Sequence, residues 1–192
     1  MSNDDLFRLV NGFSRHTRWL HGPMVAYATY GVGLFAALLV VGWWLARRHG
    51  PAIMAAALWA PLGVVLAVVV NQPIVNAVDQ PRPYAALPHV LVLVHRTTDP
   101  SAPSDHATVA GAVAVGLFFA HRRLGLIAAA AAILMGVARV YVGVHYPGDV
   151  LSGLLLGGIV TMLGFVLAKG PLVYVVARLR TTQLRPLVAA RG

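Results

Sequence analysis

Five apolar segments, each long enough to cross a bilayer, leave this chain few folds to adopt. They run over approximately 24–46, 52–75, 104–120, 124–142 and 149–168. Hydrocarbon offers backbone groups no water, so a crossing segment must satisfy its own N–H and C=O groups, and apolar runs of ~20 residues do so as helices. Gly50-Pro51 punctuates the first connection and His121-Arg122-Arg123 the third, and Lys169-Gly170-Pro171 ends the fifth segment. Residues 172–180 read as a further short helix or a continuation of the fifth. Leu6, Phe7, Leu9, Val10 and Phe13 share one helical side, which predicts an interfacial amphipathic helix near the N-terminus. The expected fold is all-α: a helical transmembrane bundle of five to six membrane helices with an N-terminal interfacial amphipathic helix. It is read as a single domain over 1–192, with a core at about 24–168, an interfacial segment at 1–22 and a basic cytoplasmic tail at 170–192.

Composition excludes several alternatives. The chain is 58% hydrophobic and 11% charged, whereas a soluble domain carries about 25% charged residues. It has no cysteine, which removes disulfides and thiolate chemistry. A net charge of +9 raises nucleic acid as a partner, but the arginines are not interleaved with aromatics on a soluble face. No compact apolar stretch among the first twenty residues resembles a cleavable signal.

The charges sort by side. Arg47, Arg48, Arg122, Arg123, Lys169, Arg178, Arg180, Arg185 and Arg191 fall on one side with no acid. All six acids (Asp4, Asp5, Asp79, Asp99, Asp105 and Asp149) fall on the other with six arginines. The positive-inside rule places the first side in the cytoplasm, making this a multi-pass cell-membrane protein whose remaining polar groups face outward. The connection 76–103 contains Val90-Leu-Val-Leu-Val94, too short to cross, so it dips into the interface or packs on the bundle.

Three polar clusters lie on the outward side. Prolines flank Arg82 in Gln80-Pro81-Arg82-Pro83-Tyr84 and stiffen the segment that presents its guanidinium. Pro103-Ser104-Asp105-His106 precedes an apolar helix with Ser104 as expected N-cap, which puts free N–H groups and a positive dipole end beside His106. In Arg139-Val-Tyr-Val-Gly-Val-His145-Tyr-Pro-Gly-Asp149, Asp149 stands four residues after His145 and can reach a ring nitrogen. Alone, each has a bland reading: a loop dipeptide, a helix cap, a structural hydrogen bond. Together, two arginines, a helix-capping serine and two histidines suit phosphoryl transfer, because guanidinium forks match phosphate oxygens and an oriented imidazole is a nucleophile or base. A metal site fits less well, since Arg82 and Arg139 repel a cation and no third ligand is evident. No metal and no cofactor are expected.

In these three clusters the chain resembles the type 2 phosphatidic acid phosphatase (PAP2) superfamily, whose motifs read K-x6-R-P, P-S-G-H and S-R-x5-H-x3-D. The resemblance covers roughly residues 24–168 and implies a metal-independent membrane phosphatase working through a phosphohistidine. It implies that His145 attacks phosphorus, Asp149 orients it, and His106 protonates the leaving oxygen and then activates water. Arg82, Ser104 and Arg139 would hold the phosphate. The chain departs from the pattern in three places: Val75 stands where the lysine is expected, Asp105 replaces glycine, and Ala138 replaces the serine before Arg139. Asp105 would favour protonated His106, while Arg96, His89 or His95 would supply the missing cation. Pro-Ser-Asp-His together with Asn71-x10-Arg82-Pro83 looks like the undecaprenyl-diphosphate phosphatase branch. The alternatives are a phosphatase of phosphatidylglycerophosphate, phosphatidic acid or another prenyl phosphate, and, in a different class, a small transporter or membrane scaffold. A transporter would place ionisable groups near the bilayer midplane. The implied partners are a lipid phosphate and the bilayer. Gly153-x3-Gly157 and the Ala128–Ala132 run allow close helix packing.

Overall fold

A computed structural model describes residues 2–190, and the described residues form helices and turns without a strand. Arg191, counted above with the basic tail, lies outside them. Helix α1 (Asn3–His16) starts at Ser2, whose side chain accepts the Asp5 N–H while the Asp5 carboxylate accepts that of Ser2. This reciprocal cap satisfies two donors that a helix start leaves free. A single 3-10 turn, Arg18–Leu20, leads into α2 (His21–Tyr30), which breaks at Gly31 and continues as α3 (Val32–Ala46), bent by 55°. Helix α4 (Pro51–Val78) carries Pro61 and Pro73, and α5 (Pro83–Ala86) is one turn. Helices α6 (Asp105–Ala120), α7 (Arg122–Tyr141) and α8 (Pro147–Leu179) follow, and α9 (Arg185–Val188) ends the described chain.

Among the described residues, three runs are long and apolar enough to cross a membrane: Pro51–Ala86, Arg122–Tyr141 and Pro147–Leu179. The bent pair α2–α3 makes a fourth candidate. The expected first segment is therefore not one straight span. Helix α6 has 16 residues, about 24 Å at 1.5 Å per residue against ~30 Å of hydrocarbon. It tolerates the deficit because protein surrounds it: Ala107, Thr108, Ala110, Gly111, Ala112, Val113, Gly116 and Leu117 are buried, which covers every face. Residues 172–179 add no separate sixth helix. Helix α8 runs through Lys169-Gly170-Pro171 with Pro171 inside it, so its end projects beyond the expected exit point.

Small residues set the packing of the centre. A Cβ on Gly153 would strike the Ser104 carbonyl oxygen, and one on Gly157 the backbone of Thr108. The Gly153-x3-Gly157 stripe is thus the surface on which α8 meets α6, as expected for small-xxx-small packing. Ala128 and Ala132 of α7 are buried in the core with Phe35, Val113, Leu117 and Met135. The Val90–Val94 run packs on the bundle: Val92, Leu93 and Val94 lie against Ala28, Tyr141 and Val144, and Leu93 N–H donates to the Val142 carbonyl at 3.1 Å. Helix α1 covers the same end, with Phe7 against Tyr146 and the Asn11 amide bonding both N–H and C=O of Leu91. At the opposite end the tail folds back on α3, where Leu187 and Ala190 bond Trp43 and Arg47.

Candidate active site

The C-terminal ends of α4 and α7 and the N-terminal ends of α6 and α8 meet at one end of the bundle. The three polar clusters therefore converge although up to 67 residues (82 to 149) separate them along the chain. A cavity of about 310 Å³ lies there, lined by Arg82, Asp99, Asp105, His106, Arg139 and His145 among charged or titratable groups. His95 lines it too, as do the apolar side chains of Val75, Val94 and Val144.

His145 sits in the turn between α7 and α8. That turn closes through Gly143, whose φ of +85° is a conformation that a side chain strains. The imidazole is buried, and its Nδ1 lies 2.8 Å from the carbonyl oxygen of Ser101. A carbonyl only accepts, so Nδ1 carries the proton and Nε2 is bare. Nε2 in turn lies 3.4 Å from Nη1 of Arg82 and 3.3 Å from Nη2 of Arg139. Burial pushes the His145 pKa below its ordinary value. The Arg139 and Arg82 charges push the same way, while Asp149 opposes them. The result is a neutral ring whose free lone pair stands between two guanidiniums.

Asp149 is not bonded to that ring. Its Oδ2 lies 3.7 Å from Nδ1, beyond hydrogen-bond reach. Oδ2 accepts the Tyr146 N–H at 2.8 Å and the Ser101 hydroxyl, and Oδ1 accepts from Gln80 Nε2 at 3.2 Å. As the third residue of α8, Asp149 caps the helix start, and this competes with the pairing that its spacing suggested. Ser104 occupies the N-cap position of α6, but its side chain makes no capping bond, contrary to the expectation. Its hydroxyl is buried without a partner, and Ser104 does not line the cavity, which departs from the phosphate-holding part expected of it.

Arg82 bonds the Asp99 backbone oxygen through Nε at 2.9 Å, the Asp99 carboxylate through Nη2 at 2.5 Å and the Val144 carbonyl through Nη1 at 3.2 Å. Arg139 bonds the Ala28 carbonyl at 3.2 Å. Asp105 is bonded to α4 rather than to His106: its Oδ1 accepts from Asn71 at 2.6 Å and Gln72 at 3.1 Å, so its expected part as the anion serving His106 gains no hydrogen bond. Arg96 lies over the Tyr84 ring and lines the adjoining outer cavity, whereas Val75 and His95 line the cavity that holds His145. Sequence reasoning passed over Ser101, Asp99 and the amide of Gln80. The one available signal was that Ser101 stands just before Pro103-Ser104-Asp105-His106 and Asp99 just before Ser101.

Comparison with known proteins bears on this arrangement. The family model of the PAP2 superfamily matches residues 56–170. Undecaprenyl-diphosphatase BcrC of Bacillus subtilis is 31% identical over 168 residues, 85% of this chain and 82% of that protein. An undecaprenyl-diphosphatase of Sulfolobus acidocaldarius is 31% identical over 178 residues, 88% and 81% of the two chains. The crystal structure of Aquifex aeolicus LpxE superposes with a TM-score of 0.68 at 28% identity, covering 84% of this chain and 93% of that one.

Proposed function

The chain belongs to the PAP2 superfamily and is a membrane lipid phosphatase, and we propose that it hydrolyses undecaprenyl diphosphate to undecaprenyl phosphate through a phosphohistidine at the extracytoplasmic face. The observation that carries the reading is the bare Nε2 of His145 between the forks of Arg82 and Arg139. Nε2 attacks the terminal phosphorus and the bond to the bridging oxygen breaks. His106 gives that oxygen its proton, releasing undecaprenyl phosphate. His106 then takes a proton from water, whose oxygen attacks phosphorus; the P–N bond breaks and inorganic phosphate leaves. Arg82 and Arg139 hold the equatorial oxygens. Asp149 acts from behind His145 as a fixed negative charge.

Two further observations support the substrate and the side. Two relatives matched over four fifths of their own length are named undecaprenyl-diphosphatases, and the apolar wall formed by Val75, Val94 and Val144 suits a headgroup attached to a hydrocarbon tail. The arginine-rich ends of α3 and α7 lie opposite the cavity, so the positive-inside rule turns the cavity outward.

The test is phosphate release by the purified full chain in detergent with excess chelator. Undecaprenyl diphosphate, phosphatidylglycerophosphate and phosphatidic acid are compared, with undecaprenyl diphosphate expected to turn over fastest. Full activity in His145→Ala would remove the covalent route, and a clear preference for either glycerolipid would replace the substrate.

A further inference from the structure

We propose that His95, at the rim of the cavity, binds the inner phosphate of a diphosphate substrate and so selects diphosphates over monophosphates. The inference rests on the proposed reaction and names a specificity residue for that same site.

The fixed charges of the cavity fall short of such a headgroup. Arg82 and Arg139 are matched by Asp99 and Asp105, while a diphosphate brings more negative charge than a single phosphate. Helix α4 adds the apolar Val75 to the wall and no cation. Three histidines remain, and two are committed: His145 attacks through a bare Nε2, and His106 serves the bridging oxygen. His95 is the third. The other basic residues of its loop are placed elsewhere. Arg96 lies over the Tyr84 ring and lines the outer cavity. His89 lies against α1, where its carbonyl accepts from Arg15.

The loop fixes where His95 stands. Two residues before it, Leu93 N–H donates to the Val142 carbonyl at 3.1 Å. Two residues after it, Thr97 N–H donates to the Tyr84 hydroxyl oxygen at 3.0 Å, and that hydroxyl donates to the Thr97 carbonyl at 2.8 Å. The backbone at His95 is thus pinned from both sides. Its side chain is exposed and takes part in no hydrogen bond or ion pair among the described residues, which leaves both ring nitrogens for a ligand.

Depth orders the two phosphates. His145 is 3% exposed, and its Nε2 lies between Arg82 and Arg139, so the terminal phosphoryl group is held at the floor. The leaving oxygen stands across phosphorus from the attacking nitrogen, which directs the inner phosphate away from the floor and toward the rim. There an imidazole donates one N–H when neutral and two when charged, and a neighbouring anion favours the charged form. A monophosphate ester has nothing to offer at that place, because its carbon chain begins at the leaving oxygen. His95 therefore touches only the larger headgroup.

The experiment measures kcat and KM of the full chain in detergent on undecaprenyl diphosphate and on phosphatidic acid. His95→Ala should lower kcat/KM on the diphosphate about tenfold, near the low end for a bond to a charged group, and mainly through KM. On the monophosphate it should have little effect, whereas a merely structural role would lower both alike. His95→Lys, which restores a charged donor, should recover most of the loss. Equal losses on both substrates, or no loss on either, would overturn the proposal, as would a loss of preference in Arg96→Ala that His95→Ala does not show. Binding of methylenediphosphonate and methylphosphonate, followed by ³¹P NMR, reads the same preference without turnover. Wild type should bind the diphosphonate more tightly, and His95→Ala should narrow the ratio about tenfold. If wild type hydrolyses no lipid phosphate, or monophosphates alone, the proposed reaction falls. The phosphonate ratio still decides the part of His95, and a ratio unchanged in His95→Ala overturns it.

Discussion

The Arg82–Asp99 pair poses a sharp question about binding, because the fork proposed to take phosphate oxygens is already engaged. Nη2 of Arg82 holds the Asp99 carboxylate at 2.5 Å and Nε holds the Asp99 backbone oxygen at 2.9 Å. Incoming phosphate must displace the carboxylate from Nη2. Asp99 is 54% exposed although Arg82 is buried, so water solvates the carboxylate on release, and the net worth of the pair is taken as about 1 kcal/mol, the upper end for exposed pairs. Asp99→Asn removes the competing charge and keeps the backbone acceptor. The competitor acts on the free enzyme, so its loss favours the Michaelis complex and the transition state equally. At about 1 kcal/mol, kcat/KM should rise roughly fivefold through KM, with kcat unchanged. Initial rates of phosphate release against substrate mole fraction in mixed micelles separate the two constants, and the gain should shrink as salt is added. A higher KM in Asp99→Asn would refute the reasoning and make Asp99 the support that aims Arg82.

Two further outcomes follow from the same geometry. Burial beside Arg139 and Arg82 lowers the His145 pKa, and the proposed attack requires Nε2 unprotonated, so activity should be lost as pH falls through a midpoint below the ordinary imidazole value of about 6.5. An acid limb of kcat/KM at or above that value would contradict it. Arg139→Lys keeps the charge but loses the fork that reaches both the Ala28 carbonyl and Nε2 of His145. By comparison with other preorganised donors, kcat should fall about 100-fold, and a drop of less than about threefold would show that charge alone suffices.

Much of the fold was legible because a bilayer permits so little: apolar runs of the right length had to be helices, and the charge asymmetry gave them two ends. Where the expectation failed, protein had replaced lipid or water as the neighbour. Helix α6 is shorter than a lipid-facing span because its faces are buried in the bundle. Helix α8 passes through Gly170-Pro171 because a helix continues past a proline that leaves the other hydrogen bonds intact. At the site, spacing located Arg82, His106, Arg139 and His145, which line one cavity. Spacing could not tell what each polar group bonds. The four-residue interval from His145 to Asp149 reads equally as a His–Asp pair and as a helix cap, and the cap prevails through Tyr146 N–H. Ser101 was invisible for a related reason: half of its part is played by a backbone carbonyl, which any residue type supplies.

The packing stripe and the site are one construction. Gly153 and Gly157 let α8 approach α6 until the backbones nearly touch at Ser104 and Thr108. At that distance the Ser104 N–H donates to the Asp149 carbonyl at 3.0 Å, which joins the start of one helix to the start of the other. Ser101 lies three residues before Ser104 and His145 four before Asp149, so this backbone bond fixes the offset between the segments that carry them. A slide of α8 along α6 by one turn, about 5.4 Å, would break every bond among Ser101, Asp149 and His145 at once. The glycines therefore bear on the chemistry without touching the cavity: they set the helix register that places a ring nitrogen, a carbonyl and a carboxylate within reach of one another.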